Sequence, residues 1–297
     1  MPPTMAERVE GVQPSAPLRG LLSVATVLEG DQAGDGSRWL NGVAIDPYPC
    51  GCGIVVPGIA CVDDPEPLEG EDITPAPEAD GWPASFMPFL VYLPDSCSTF
   101  GLGPYDQFAA RLRTAFDAVE GPAVEGEFWT GAQVPTNPHL ADGTSTDAGP
   151  PAGIVEGMAQ LEQAIAESCR AGVIHMPVAA AVVASAYGLV EVQGQQLRTS
   201  AMGTPVVAGA GYTGTGPGGD AAPAGSAWLY ATGPVRVHLG DVTVPDGITQ
   251  AMRRNVNRVI VRAQRPALYE WDRCLHASQL VSMSEAGVPV LPSGSGS

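Results

Sequence analysis

The residues able to carry chemistry in this chain are four histidines (His139, His175, His238, His276), six cysteines (Cys50, Cys52, Cys61, Cys97, Cys169, Cys274) and one glycine fingerprint, Gly209-Ala210-Gly211-Tyr212-Thr213-Gly214. Hydrolysis by acyl transfer needs a nucleophile, a base and an orienting acid. No GxSxG occurs, HExxH is absent, and no histidine shares a motif with an acid or a serine, so neither a serine hydrolase nor a zinc protease is supported. His175 lies among apolar neighbours and reads as a hydrogen-bonded core histidine; His238 and His276 sit in strand-like runs and read as structural. The fingerprint matches GxGxxG after a strand, a motif that works only where a helix N-terminus follows to receive the pyrophosphate. Here the chain continues TGPGGDAAPAG, which cannot begin a helix, so Gly209, Gly211 and Gly214 are expected to bind no nucleotide.

The remaining chemistry is thinner still. Cys50-Gly51-Cys52 with Cys61 and Cys97 suggests a metal site, but zinc sites use CxxC pairs, and neither a second pair nor a nearby histidine completes this set. Reduced, partly buried thiols are the expectation, with bridges only in an oxidising medium. All 14 basic residues are arginine, which excludes a P-loop, a pyridoxal Schiff base and a lysine general base. Asp63, Asp64, Glu66, Glu69, Glu71, Asp72, Glu78 and Asp80 form an acidic run without the regular ligand spacing of a calcium loop. Glu270 and Asp272 are expected to pair with Arg265 or Arg273, and Trp129, Trp228 and Trp271 to anchor packing. No catalytic, cofactor-binding or metal residue is expected, and no cofactor.

The 297 residues carry a net charge of -18, which argues against a surface made to grip DNA phosphates or anionic membrane. Residues 1–152 hold 22 acids and five arginines, and residues 153–297 hold 10 acids and nine arginines, so the acidic excess is concentrated in the first half. The N-terminus lacks the basic-then-apolar layout of a signal peptide, so export is not expected. Val173 to Val190 is uncharged, but Pro177 and Gly188 interrupt it, so it is not read as membrane-spanning.

The elements around these residues follow from periodicity. Tyr105, Phe108, Ala109, Leu112, Ala115, Phe116 and Val119 recur at helical spacing, with Asp106 in the first turn. Gly121-Pro122 is expected to break this helix, with Ala123–Trp129 extending its direction. Ile154, Met158, Leu161, Ile165 and Cys169 define a second helix that ends near Arg170 and Gly172. From 173 to 212 the pattern is strand, short alanine-rich helix, hairpin about Gly194, and strand, a unit uncharged as far as Val190 and expected to be a packed centre in which Ala181 and Val182 are both buried. Arg258–Ala263, Leu268–Trp271 and His276–Met283 read as three late strands.

This order resembles the major coat proteins of tailed phages. The late run RVIVRAQRPALYEWDRCLHASQLVSM is similar to their closing strands, and VIHMPVAAAVVASA followed by GTPVVAGAGY to their axial domain. The resemblance implies an α+β, Hong Kong 97-type phage coat fold, shared also by encapsulin shells. Its parts would be an N-terminal arm (1–18), a peripheral domain (19–152) with an extended loop (50–83) and a spine helix (105–129), and an axial domain (153–244). Return strands to the peripheral domain (245–290) and a flexible tail (291–297) would follow. The function it implies is that of a structural virion protein, assembled in the host cytoplasm with copies of itself as hexamers and pentamers. Further partners would be scaffold, portal or decoration proteins, with packaged DNA touched only non-specifically and no membrane. Alternatives are a minor capsid, neck or decoration protein, or an encapsulin-like shell; the competing class is a soluble enzyme whose glycine loop 209–219 binds a phosphate ligand. The chain departs from some coats in having no lysine for an isopeptide cross-link.

Overall fold

The computed structural model describes residues 14–15, 19–30, 38–45, 50, 84–98, 105–244, 252–253 and 258–284. Most of the expected arm, most of the loop 50–83 and the tail lie outside these residues. In chain order the elements are β1 (Thr26–Glu29), β2 (Val43–Ile45), β3 (Ala84–Phe86), β4 (Phe89–Ser98), α1 (Tyr105–Thr130), β5 (Thr146–Asp147), β6 (Ala152–Gly153) and α2 (Ile154–Glu167). They continue as β7 (Val173–Pro177), α3 (Val178–Ala186), β8 (Val190–Gln193), β9 (Gln196–Thr199), β10 (Pro205–Gly209), β11 (Ser226–Thr232), β12 (Val235–Leu239), β13 (Met252–Arg253), β14 (Arg258–Trp271) and β15 (His276–Ser282).

Two sheets carry the fold. One runs β5-β15-β11-β7-β10-β9-β8, with β6 also on β15; the other runs β1-β12-β14-β13, with β4 on β14. A small ladder of β2 and β3 closes the root of the segment between them. There are two apolar cores, and Val173, Val207 and Tyr230 of the β7 sheet pack into the one that covers the β14 sheet. That of the β14 sheet is aromatic, with Phe128 set edge-on to Tyr269 (centroids 5.1 Å apart) and Trp271 (5.2 Å). That of the β7 sheet is aliphatic, built from Ile154, Met158, Leu161, Ile174, Met176 and Val206.

The apolar stripe that predicts α1 is buried as expected at Phe108, Leu112 and Phe116, but the helix does not break at Pro122. A proline inside a helix removes one hydrogen bond and costs about 3 kcal/mol. Here Phe116 before it and Val124 and Phe128 after it are all fully buried, and this shared burial outweighs the local cost. In α2, Gly157 lies so close to β15 that a Cβ there would fall 2.4 Å from Val281 Cγ1.

The two strands expected around Pro266 are a single one, β14, whose first part pairs with β4 and whose last part pairs with β12. Pro266 offers no N–H, and the strand continues because its neighbours compensate. The Gly240 N–H donates to the Pro266 carbonyl (2.9 Å). The Gly240 carbonyl, which would otherwise take the missing N–H, accepts instead from Arg265 Nε.

Strand membership also departs from the expected division. β12 lies before residue 244 yet joins the β14 sheet, and β15, expected to return there, pairs with β11 from Ser226↔Ser282 to Thr232↔His276. Besides the passage from β4 through α1 to β5, the chain therefore crosses directly between the sheets at 233–234 and at 272–275. The crossings are hydrogen-bonded to each other, Gly233 N–H to Leu275 O (3.2 Å) and Asp272 N–H to Pro234 O (3.3 Å).

The expectation of reduced thiols is overturned. Cys50 and Cys274, 224 residues apart, form a disulfide with Cα atoms 5.2 Å apart, inside the span such bonds bridge. Cys169 is also disulfide-bonded. Spacing along the chain carries no sign of the first bond, because the crossing at 272–275 is a tertiary feature.

In α3, Ala180, Ala181 and Ala184 face the core, whereas Val182, expected to be buried, is 64% exposed. The helix is nearly all apolar, so its sequence does not mark which side is covered. Ala181→Asp buries a charge with no partner, at a cost of several kcal/mol, and is expected to prevent soluble folding. Val182→Asp is expected to leave far-UV circular dichroism and the thermal transition of the unassembled protein unchanged. A Val182 variant that unfolds, or an Ala181 variant that melts like wild type, would reverse the assignment of the two faces.

Candidate functional site

The most constrained polar group of the described residues is Glu125, in the last two turns of α1 and 1% exposed. Its Oε1 accepts the Leu21 N–H (2.8 Å) and its Oε2 the Gly211 N–H (2.9 Å). One carboxylate thus joins the segment entering β1, the long helix and the turn after β10. The two approaches require glycine. A Cβ on Gly20 would lie 2.1 Å from Oε1, and one on Gly211 would lie 2.1 Å from the Pro122 carbonyl. Burial pushes the Glu125 carboxyl above its ordinary range, opposed by the N–H groups of Gly211, Leu21 and Ala210.

This geometry places the glycine fingerprint. Gly209 ends β10 and Gly211 sits against α1, its N–H directed at the protein's own carboxylate. Downstream comes only a single 3-10 turn at Pro217–Gly219, so the turn has no helix N-terminus to offer a phosphate.

The histidines are spread through the cores. His175, with no exposed surface, has Nδ1 2.9 Å from the Tyr212 hydroxyl and Nε2 2.8 Å from Thr232 Oγ1, and the Thr232 hydroxyl donates to Gly233 O. A consistent chain of donors has Tyr212 donating to Nδ1 and the Nε2–H donating to Thr232. Burial pushes the His175 pKa down to about 3, so the ring is neutral and both nitrogens are engaged. His276 holds the Leu140 carbonyl at 3.1 Å through Nε2, and burial lowers its pKa as well. His139 Nδ1 lies 3.0 Å from Asn137 O. Among the described residues no histidine nitrogen is hydrogen-bonded to a serine hydroxyl, while His276 Nδ1 lies 3.3 Å from Thr144 Oγ1.

The acids pair differently from expectation. Glu270 binds Arg236 (2.7 Å) and lies 3.5 Å from His238 Nε2, and Asp272 binds Arg170 (2.8 Å). Burial alone would raise the Glu270 carboxyl, but the bonds from His238 and Arg236 outweigh it and hold it below its ordinary range. Arg265 is shared between Glu120 and Glu29, both at 3.1 Å. Glu127 accepts the Gln133 (2.9 Å) and Val134 (2.8 Å) N–H groups and so shapes the turn after α1. Sequence reasoning missed Glu120, Glu125 and Glu127, although three glutamates on the late, largely apolar turns of one helix were the available signal. Among the described residues no group of three or more His, Cys, Asp or Glu side chains could hold a metal ion; the acidic run 63–80 lies outside them.

What the surface does offer is exposed apolar area. On the outer face of β4 and β14 stand Leu90, Tyr92 and Ile260; α3 presents Val178 and Val182, and the turn before β10 presents Met202. Chemically, the molecule is equipped to hold its own segments together and to meet another apolar surface.

Glu125→Leu strands two buried N–H groups and is expected to cost about 2–4 kcal/mol, read as a lower urea midpoint for the unassembled protein. A midpoint equal to wild type would remove the carboxylate from its joining role. The linkage signs of the two acids are opposite. Stability tied to Glu270 is present above the ordinary carboxylate pKa and is lost as pH falls through its depressed folded value. The raised Glu125 value disfavours the fold as pH rises through it. Glu270→Gln is therefore expected to flatten the acid limb of the stability–pH curve, and an unchanged acid limb would count against its pairing.

No family model matches the chain, and no curated protein matches it. Solved structures do. A structure of Mycobacterium phage Cain is 10% identical and covers 94% of this chain and 95% of its own, with a TM-score of 0.53. The capsid of Ralstonia phage GP4 is 12% identical over 97% and 98%, with a TM-score of 0.51. The capsid of an empty GTA particle is 15% identical over 95% of both chains, with a TM-score of 0.50. At 10–15% identity and more than nine-tenths coverage of both chains these likenesses show the fold: the chain has the Hong Kong-type α+β fold of phage capsid subunits.

Proposed function

We propose that this chain is the shell-forming subunit of a tailed-phage-type capsid, self-assembling into an icosahedral head that encloses DNA, with no catalytic step and no cofactor. The observation that carries this reading is the near-complete, two-way coverage by phage capsid structures. In this reading α1 is the spine helix and the ladder of β2 and β3 is the root of the extended loop. Residues 19–152 with β12 and β14 form the peripheral domain; α2, α3 and β7–β11 with β15 form the axial domain. The outward apolar residues on β4, α3 and the β9–β10 turn become contacts between copies arranged as hexamers and pentamers. The charge of -18 suits a lining that encloses DNA without adhering to it. Scaffold, portal and decoration proteins are the further partners, and assembly takes place in the host cytoplasm.

Negative-stain microscopy of the purified chain is expected to show shells, rings or capsomers; a protein that sediments as a monomer at every concentration would overturn the proposal. Particles boiled in detergent without reductant are expected to run as one band near 30.5 kDa. The Cys50–Cys274 bond is within one chain, and no lysine exists to form an isopeptide. A ladder that persists in reductant would contradict this.

A further inference from the structure

The Cys50–Cys274 disulfide lies at the second crossing between the sheets, where other contacts also hold the Cys274 side. Asp272 Oδ2 is held by Arg170 (2.8 Å) while its Oδ1 accepts the Cys274 N–H (3.0 Å). The turn is further tied to 233–234 by the two backbone bonds already described. The Cys274 backbone is therefore held by noncovalent contacts as well as by its disulfide. Neither Cys50 nor Cys274 is fully buried. Nearby, Cys169 adopts a left-handed backbone (φ 54°) just past the end of α2, where glycine is the common residue. Backbone preference does not account for a cysteine there, whereas its disulfide does.

Cys274 also lines an open cleft of about 300 Å³ whose other walls include Thr146, Asp147, Gln160, Gln163 and Glu167. The volume is at the lower end of small-ligand sites, roughly 300–1,000 Å³, and the walls are rich in amides, hydroxyls and carboxylates. That combination favours a small polar molecule over an apolar one.

We propose that the Cys50–Cys274 bond is a thiol–disulfide exchange site, closed and opened in the folded protein by a small peptide disulfide or thiol of the glutathione class that reaches Cys274 through this cleft. In the closing direction the Cys274 thiolate attacks one sulfur of the small disulfide. The S–S bond of that molecule breaks, one thiolate leaves and takes a proton, and a mixed disulfide remains on Cys274. The Cys50 thiolate then attacks Cys274 Sγ and expels the second small thiolate, which is protonated in turn. Two protein thiols are oxidised by two electrons, and one small disulfide is reduced to two thiols. Opening is the reverse. The inference is independent of shell formation and would hold for an unassembled chain.

The test uses the full chain with oxidised glutathione, alkylation by iodoacetamide and peptide mass mapping. Cys50→Ser, which cannot complete the second step, is expected to accumulate a glutathione adduct on Cys274 while its circular dichroism stays native. Adding Gln163→Trp, at an exposed position on the cleft wall, is expected to slow adduct formation at least tenfold; so is replacing glutathione disulfide by a disulfide reagent too large for the cleft. In wild type, excess reduced glutathione is expected to make Cys50 and Cys274 alkylatable without loss of the fold. An adduct that forms only in urea would overturn the exchange site. Adduct rates indifferent both to Gln163→Trp and to reagent size would overturn the cleft as its route.

Discussion

A buried carboxylate held by two backbone N–H groups is the interaction on which the arrangement of this chain depends. Removing Glu125 from water raises its free energy, and only hydrogen bonds from distant segments offset that cost. The Leu21 and Gly211 donors lie 104 and 86 residues away in sequence, so the acid is tolerable only when the start of the chain, the long helix and the turn after β10 are all in place. A hydrophobic residue at 125 would pack without demanding any particular partner. Glu120 and Glu127 on the same helix extend this logic, one to Arg265 on β14 and the other to the loop that follows the helix. Apolar burial drives collapse around α1, and the three acids specify which collapsed arrangement is satisfied.

Much of the fold was legible because apolar spacing survives where identity does not. The stripes of α1 and α2 and the strand–helix–hairpin–strand order from 173 to 212 were readable as patterns of burial, and the order of elements carried the likeness to coat proteins. What could not be read depends on partners far away in sequence. Pro122 looks like a helix end until Phe116, Val124 and Phe128 are seen to share one core. Pro266 looks like a strand end until Arg265 is seen to serve the Gly240 carbonyl. In α3 every side is apolar, so Val182 and Ala181 cannot be told apart without knowing where the sheet lies. The candidate site was the least legible part. The residues singled out for chemistry, the histidines and the glycine turn, are occupied within the protein, and the glutamates that organise it passed as ordinary helix charges.

The cysteines illustrate the same limit. Their spacing invites a comparison with zinc motifs, and the acidic, lysine-free composition offers nothing to correct it. Only the tertiary crossing brings Cys274 to Cys50, at a place where an ion pair and backbone hydrogen bonds already meet. Covalent chemistry is thus concentrated at the junction of the two cores and not inside either of them.

That junction has a mechanical meaning. The strands β11 and β12 run beside β15 and β14 as one antiparallel ribbon that spans both sheets, and the crossings at 233–234 and 272–275 are its midpoint. Across the ribbon the joint is closed by the bridge of Gly233 and Pro234 with Asp272 and Leu275, by the Arg170–Asp272 ion pair and by the Cys50–Cys274 bond. A force along this ribbon is carried by two backbones at once, because both strands run unbroken through the crossings. Along this direction the two sheets are tied by covalent backbone, and their separation is set by chain length and not by contact strength.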